Sequence, residues 1–218
     1  MSLLAAAAEA RALMVEQQLR RRGITDERVL SAMGTVPREL FVPESLRDYS
    51  YEDGALPIGH GQTISQPFIV GTICVLLGLA GHERVLDVGT GSGYQAAVLA
   101  ELATDVVTIE RVPELAETAR AALAAAGYDR VEVRVGDGSL GVSDRAPFDA
   151  IAVAAAAPTV PPALYAQLVD GGRLVVPRGS RWGQELVLVV RTPDGPVEKE
   201  SVPCRFVPLL GEEGFAHG

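Results

Sequence analysis

Apolar residues fall along this chain in two rhythms. From position 84 onward, short runs rich in Val, Ile and Leu alternate with longer stretches of helical period. The runs at 84–88, 105–109, 131–135, 149–153, 173–176 and 185–191 predict strands, and 93–102, 113–126 and 161–168 predict helices. This alternation specifies an α/β fold, a doubly wound and mostly parallel sheet with helices on both faces. Before position 84 the rhythm is helical. Residues 2–22 place Leu4, Ala8, Ala12, Val15 and Leu19 on one face, with Gly23 as the stop. Thr25 is placed to cap a short helix through Met33. Pro37 and Pro43 bracket an irregular turn packed by Phe41, a Gly-rich loop covers 54–61, and Pro67 opens a helix through Leu77. The organisation expected is a single domain over 1–218: a helical and loop extension at 1–78, a sheet core at 79–195 and a C-terminal segment at 196–218.

Composition narrows the partners. With 48% apolar and 22% charged residues, the 218-residue chain has enough apolar material for one sizeable core. Its net charge of −9 disfavours nucleic acid, whose phosphates it would repel. Arg20, Arg21 and Arg22 do cluster, but at a helix end, where the dipole favours them. Cys74 and Cys204 make no disulfide framework, and His60, His82 and His217 form no cluster, so no metal is expected. No apolar run is long enough to span a bilayer. Glu9 and Arg11 interrupt an N-terminus that lacks a basic start, so no signal peptide and a cytoplasmic location are expected.

The chemistry concentrates in Val85–Tyr94. A strand ends in Asp87, then Gly89, Gly91 and Gly93 alternate with Thr90 and Ser92 before the next helix. Strand, glycine turn and helix hold a nucleoside cofactor at the carboxyl end of a parallel sheet. A dinucleotide turn spaces its glycines G-x-G-x-x-G. Counted from Gly89, the third falls on Tyr94; counted from Gly91 it falls on Ala96, which some dinucleotide sites accept. Spacing alone leaves both cofactors open, but the whole pattern resembles the S-adenosylmethionine turn of Rossmann-like methyltransferases. Glu110 ends the next strand, 23 positions after Asp87, where an acid grips a ribose diol. Arg111 follows it. Asp137 and Gly138 end a third strand, and an acid there can accept an adenine amino group.

A more specific resemblance runs through most of the chain. Gln62–Val70 is similar to the signature segment of protein-L-isoaspartate O-methyltransferases. Pro37–Pro43, Phe148–Val153, Ala155–Pro158, Gly171–Pro177 and Arg205–Leu209 follow in that family's order. The resemblance implies transfer of a methyl group from S-adenosylmethionine to the free carboxylate of L-isoaspartyl residues in damaged proteins and peptides. S-adenosylhomocysteine would be the product, and no obligate protein partner is implied. Carried over by position, Ser65 is the expected catalytic residue, its hydroxyl holding the acceptor carboxylate. Thr63, Ile64 and Gln66 would line the same loop beside the cofactor. Val207, Pro208 and Leu209 would offer backbone groups to the substrate, and the tail 203–218 would return over the cofactor. Two alternatives stand beside this reading: a methyltransferase for a small molecule or RNA, and a non-catalytic binding protein on the same scaffold. The acidic charge weakens RNA, the Thr63–Val70 segment weakens both other acceptors, and intact Asp87, Glu110, Asp137 and Ser65 weaken the non-catalytic reading.

Overall fold

In the computed structural model, residues 3–180 and 182–216 are described; Ser2 and the side chain of Leu4 lie outside that set. The first helix, α1 (Leu3–Met14), runs into a π-helical turn at Val15–Leu19 and a 3-10 turn at Arg20–Arg22, and Gly23 closes it in the left-handed region. Its inward face matches the expected one only at the end, where Leu19 is buried and Val15 packs against the core. Met14 is buried as well, whereas Ala8 and Ala12 are exposed. Alanines surround this helix, so no stripe of them defines a face, and the few large side chains decide which side packs. The next helix, α2 (Glu27–Thr35), is capped by Asp26 rather than Thr25: the Asp26 carboxylate accepts from the backbone N–H groups of Arg28 (2.9 Å) and Val29 (3.3 Å).

The Gly-rich stretch forms a hairpin of β1 (Leu56–Gly59) and β2 (Gln62–Ile64), where the sequence predicted only a loop. Strands this short carry too few residues for alternation to register. The hairpin tip, His60, holds a left-handed φ of 50°. Helix α3 (Pro67–Leu77) follows with the expected bounds, proline in its first turn and left-handed Gly78 at its end.

The core alternates as expected: β3 (Arg84–Val88), α4 (Tyr94–Leu102), β4 (Asp105–Glu110), α5 (Pro113–Ala125), β5 (Glu132–Val135), β6 (Phe148–Val153), α6 (Pro162–Ala166) and β7 (Leu168–Gly179). Strand β8 (Gln184–Thr192) and strand β9 (Gly195–Cys204) complete the sheet. The order is β5-β4-β3-β6-β7-β8-β9; the first five strands pair in parallel, and β8 pairs antiparallel with both β7 and β9. Strand β9 has no counterpart among the predicted strands. Glu198, Lys199 and Glu200 break its apolar pattern, as charges often do on an edge strand.

Alternate residues of each strand feed two apolar layers. Val85 packs under α2, α3 and α4, while Leu86 and Val88 join Phe148, Ile151 and Leu174 on the opposite face. Strand order reverses between β3 and β6, and at such a switch point the loops diverge and leave a crevice.

Candidate active site

That crevice is a cleft of about 310 Å³ outside the carboxyl ends of β3, β4 and β6. Its floor is the turn after β3. The backbone N–H groups of Gly89 and Thr90 both donate to the carbonyl of Ile109, at 2.9 and 3.2 Å, which ties the turn to β4. Gly89 sits at φ 91°, a conformation side chains resist. Gly93, at φ 90°, needs the same freedom and serves packing as well. A Cβ there would stand 3.1 Å from Leu123, so its absence lets α4 pack against α5. Tyr94, where a dinucleotide turn counted from Gly89 wants glycine, is 1% exposed and meets Phe41 edge-on at 5.8 Å.

Asp87 lies behind the cleft wall, fully buried. Its carboxylate accepts from Gln95 Nε2 and Thr108 Oγ1, both at 2.8 Å. Because the Thr108 hydroxyl spends its proton on Asp87, the 2.7 Å contact between Thr108 and Thr90 has Thr90 as donor. Asp87 therefore orients Gln95 and Thr90, which line the cleft, instead of lining it itself. Burial pushes the Asp87 carboxyl up to about 6, against the pull of Gln95 and Thr108, with Glu110 adding to the rise. A raised acid is neutral in the fold at low pH, and ionising it costs stability as pH climbs from the ordinary 3.8 through about 6. In Asp87→Asn this loss is absent, so the melting temperature of wild type should fall relative to the variant over that interval. Parallel profiles for the two proteins would contradict the assignment.

Glu110 lines the cleft and is 7% exposed. One carboxylate oxygen accepts from the Gly91 N–H at 2.8 Å and the other from the Val112 N–H at 3.0 Å, so it locks the glycine turn to the start of α5. Arg111, Ser92 and Gly138 share the wall. Asp137 does not. Its carboxylate accepts from Ser139 N (2.9 Å), Ser139 Oγ (2.7 Å) and Glu212 N (2.8 Å), so it anchors the C-terminal segment. Burial alone would raise its pKa, but the donors from Glu212 and Ser139, with Arg111 nearby, hold it below the ordinary value. Gly211 passes so close that a Cβ there would stand 2.0 Å from Asp137 Oδ1.

The segment anchored in this way crosses the carboxyl edge of the sheet, as the sequence predicted for the tail. The Ala156 N–H donates to the Val207 carbonyl at 2.8 Å and the Leu209 N–H to the Ala156 carbonyl at 2.7 Å. Val207, Pro208, Leu209 and Leu210 thereby roof the cleft. These bonds, and one from Phe215 N to the Leu209 carbonyl, consume much of the backbone expected for substrate. The Val207 N–H and the Pro208 carbonyl take no part in them.

Across the cleft, Thr63, Ile64 and Ser65 leave β2 for α3 and line the wall. A second groove of about 530 Å³ adjoins the cleft and shares Thr63, Ser65, Ala154 and Val207 with it. Gln66 faces only that groove, its amide donating to Asp53 Oδ1 at 2.8 Å. The fold thus brings Thr63–Ser65, Gly89–Ser92, Glu110, Arg111, Gly138 and Val207–Leu209 around one cavity. It leaves Gln66, Asp87, Gly93 and Asp137 outside the lining. Sequence reasoning passed over His60 and Gln95, which do line it; the flanking glycines of His60 were the available signal. Among the described residues no cluster of His, Cys, Asp and Glu is arranged to hold a metal, and no helix is long and apolar enough to cross a membrane.

A glycine turn, an acid at the end of the neighbouring strand and a cleft at the switch point of a Rossmann-like sheet make a nucleoside-cofactor site, and with the family match the class is an S-adenosylmethionine-dependent methyltransferase. The chain belongs to the protein-L-isoaspartate(D-aspartate) O-methyltransferase family, whose model matches residues 9–214. It is 57% identical over 207 residues to protein-L-isoaspartate O-methyltransferase 2 of Marinobacter nauticus, covering 94% of each chain. It is 54% identical over 205 residues to the protein-L-isoaspartate O-methyltransferase of Methanoculleus marisnigri, covering 93% of this chain and 92% of that one. Among solved structures, a protein-L-isoaspartate O-methyltransferase superposes with a TM-score of 0.83 at 30% identity, over 94% of this chain and 67% of the other. A Plasmodium falciparum protein described as a member of the same family, in complex with S-adenosyl-L-homocysteine, superposes with a TM-score of 0.80 at 25% identity, over 92% and 98%.

Proposed function

We propose that this protein methylates the free carboxylate of L-isoaspartyl residues in damaged proteins and peptides, and that the whole chain works as one catalytic domain. The observation that carries the reading is the position of Ser65, on the wall common to the cofactor cleft and the adjoining groove. A chain seated in the groove presents its carboxylate to the cleft at that residue. S-adenosylmethionine supplies an electrophilic methyl on a sulfonium. An acceptor carboxylate is ionised at neutral pH, so the protein needs no general base. Its residues act by placement, which contributes up to roughly 7–11 kcal/mol when alignment is good.

Glu110 takes the ribose diol on the lone pairs that the Gly91 and Val112 N–H groups leave free. Gly89, Thr90, Gly91 and Ser92 form the surface beneath the nucleoside, with Thr63, Ile64, Arg111 and Gly138 around it. Asp87 and Gly93 hold the turn in shape from behind. Asp137 keeps Val207–Leu209 closed over the ligand, and Gln66 lines the substrate groove. Ser65 donates its hydroxyl proton to one oxygen of the acceptor carboxylate and leaves the other in line with the methyl group. S-adenosylmethionine, when bound, would supply the methyl group to that oxygen and leave as the neutral thioether, so that the carboxylate and sulfonium charges cancel in a neutral ester. A cytoplasmic setting fits two free cysteines, Cys74 and Cys204, and the net charge of −9 fits a protein acceptor better than nucleic acid.

Repair supplies the functional test. An isoaspartyl peptide incubated with the protein and S-adenosylmethionine should acquire a base-labile methyl ester and then yield an increasing share of the aspartyl form. A peptide recovered unmethylated and unchanged would refute the proposal.

A further inference from the structure

Arg38 is 0% exposed, a placement arginine rarely takes without an acid beside it. It opens the 3-10 turn Arg38–Phe41. Its Nε donates to the Ser50 carbonyl at 2.7 Å and its Nη2 to the Ser65 carbonyl at 2.8 Å. The guanidinium lies over the Tyr94 ring, 4.7 Å from its centroid, and Nη1 makes no hydrogen bond. Burial pulls its pKa below the ordinary value, and the groups that act against this are Tyr94 and Tyr51, neither of them an anion at neutral pH. The nearest acid along the chain, Glu39, instead accepts the Tyr51 hydroxyl.

The residues that Arg38 joins are the two halves of the site. Ser65 belongs to the acceptor wall, and Tyr94 is the first residue of α4, directly after the glycine turn. A planar guanidinium holds two carbonyls in a fixed relation, which a lysine ammonium does not. A buried cation without a protein anion is costly, and its cost falls when an anion arrives nearby.

From this juxtaposition we infer that Arg38 is the positioning residue of the acceptor site. It fixes the Ser65 peptide against the start of α4 and places behind Ser65 the positive charge that the substrate carboxylate complements. The inference rests on the assignment of Ser65 to the acceptor. Arg38 touches neither cavity, so it acts through Ser65 and does not contact the reacting atoms.

Two variants and one wild-type measurement test it. Arg38→Lys keeps the charge but loses the fork, so kcat with the isoaspartyl peptide should fall roughly 10-fold or more. Arg38→Met loses both, so KM for the peptide should rise as well. In each folded variant the S-adenosylhomocysteine dissociation constant should change far less than the peptide kinetics, because Arg38 lines neither cavity and reaches the cofactor cleft only from behind Ser65 and Tyr94. Unchanged peptide kinetics, or a loss matched by an equal loss of cofactor affinity, would overturn the inference. If neither variant folds, wild type decides it. The Arg38 Nε–H, buried and hydrogen-bonded, exchanges slowly, and its 15N–1H signal should shift when isoaspartyl peptide is titrated in the presence of S-adenosylhomocysteine. A signal unmoved at saturation overturns the inference. Wild-type protein that fails to methylate the peptide at all would instead overturn the proposed function.

Discussion

Glu110→Ala should weaken S-adenosylhomocysteine binding by about 1.5–3 kcal/mol, or roughly 10- to 150-fold, the range for hydrogen bonds to a charged group. A carboxylate can accept about four hydrogen bonds. Gly91 and Val112 use one each, which leaves capacity for the two ribose hydroxyls. The substitution removes the grip and also releases the turn, since the Gly91 N–H loses its acceptor. Titration calorimetry separates the contributions when Glu110→Gln is measured beside Glu110→Ala. The glutamine keeps one acceptor oxygen for the turn but loses the charge. A dissociation constant unchanged in a folded alanine variant would confine Glu110 to fastening the turn and α5.

Ser65→Ala should leave that dissociation constant within about two-fold of wild type and lower kcat on the order of 100-fold. The factor is the one expected when a reacting atom strays by about 1 Å. The hydroxyl is the polar side-chain group that Ser65 offers at the junction of cleft and groove. Without it a carboxylate can still enter but is no longer held in line. Steady-state kinetics at saturating cofactor provide the check, with cofactor affinity measured on the same preparation. A fully active variant would remove Ser65 from the mechanism.

The parts of this protein that local pattern dictates were legible in its sequence. Strands β3, β4 and β6 are apolar runs flanked by polar breaks, and α3 is bracketed by Pro67 and Gly78, so their positions followed from residue type. The Asp87–Gly93 turn and Glu110 were legible because spacing along the chain places them at adjacent strand ends. What failed to show was set by distant partners. Asp137 reads as a cofactor acid, and nothing local shows that it also accepts from Glu212, far along the chain. Arg38 carries no local signal of its placement, and only the three-dimensional approach of Ser50, Ser65 and Tyr94 explains its burial. Strand β9 was hidden by its charges, and the inward face of α1 by its alanines. Asp87 was seen as part of the motif, but its place behind the wall depends on Gln95 and Thr108 closing over it.

The acceptor decides the central claim. In an isoaspartyl link the main chain runs through the side-chain carbonyl, which leaves the α-carboxylate free. Normal aspartate carries its carboxylate one methylene further from the main chain, out of line with a methyl group fixed by the cleft. The direct measurement is transfer of a labelled methyl group from S-adenosylmethionine to two synthetic peptides that differ only in this link. The isoaspartyl peptide should be labelled with kcat/KM about 100-fold or more above its aspartyl twin; equal labelling of the two would contradict the account.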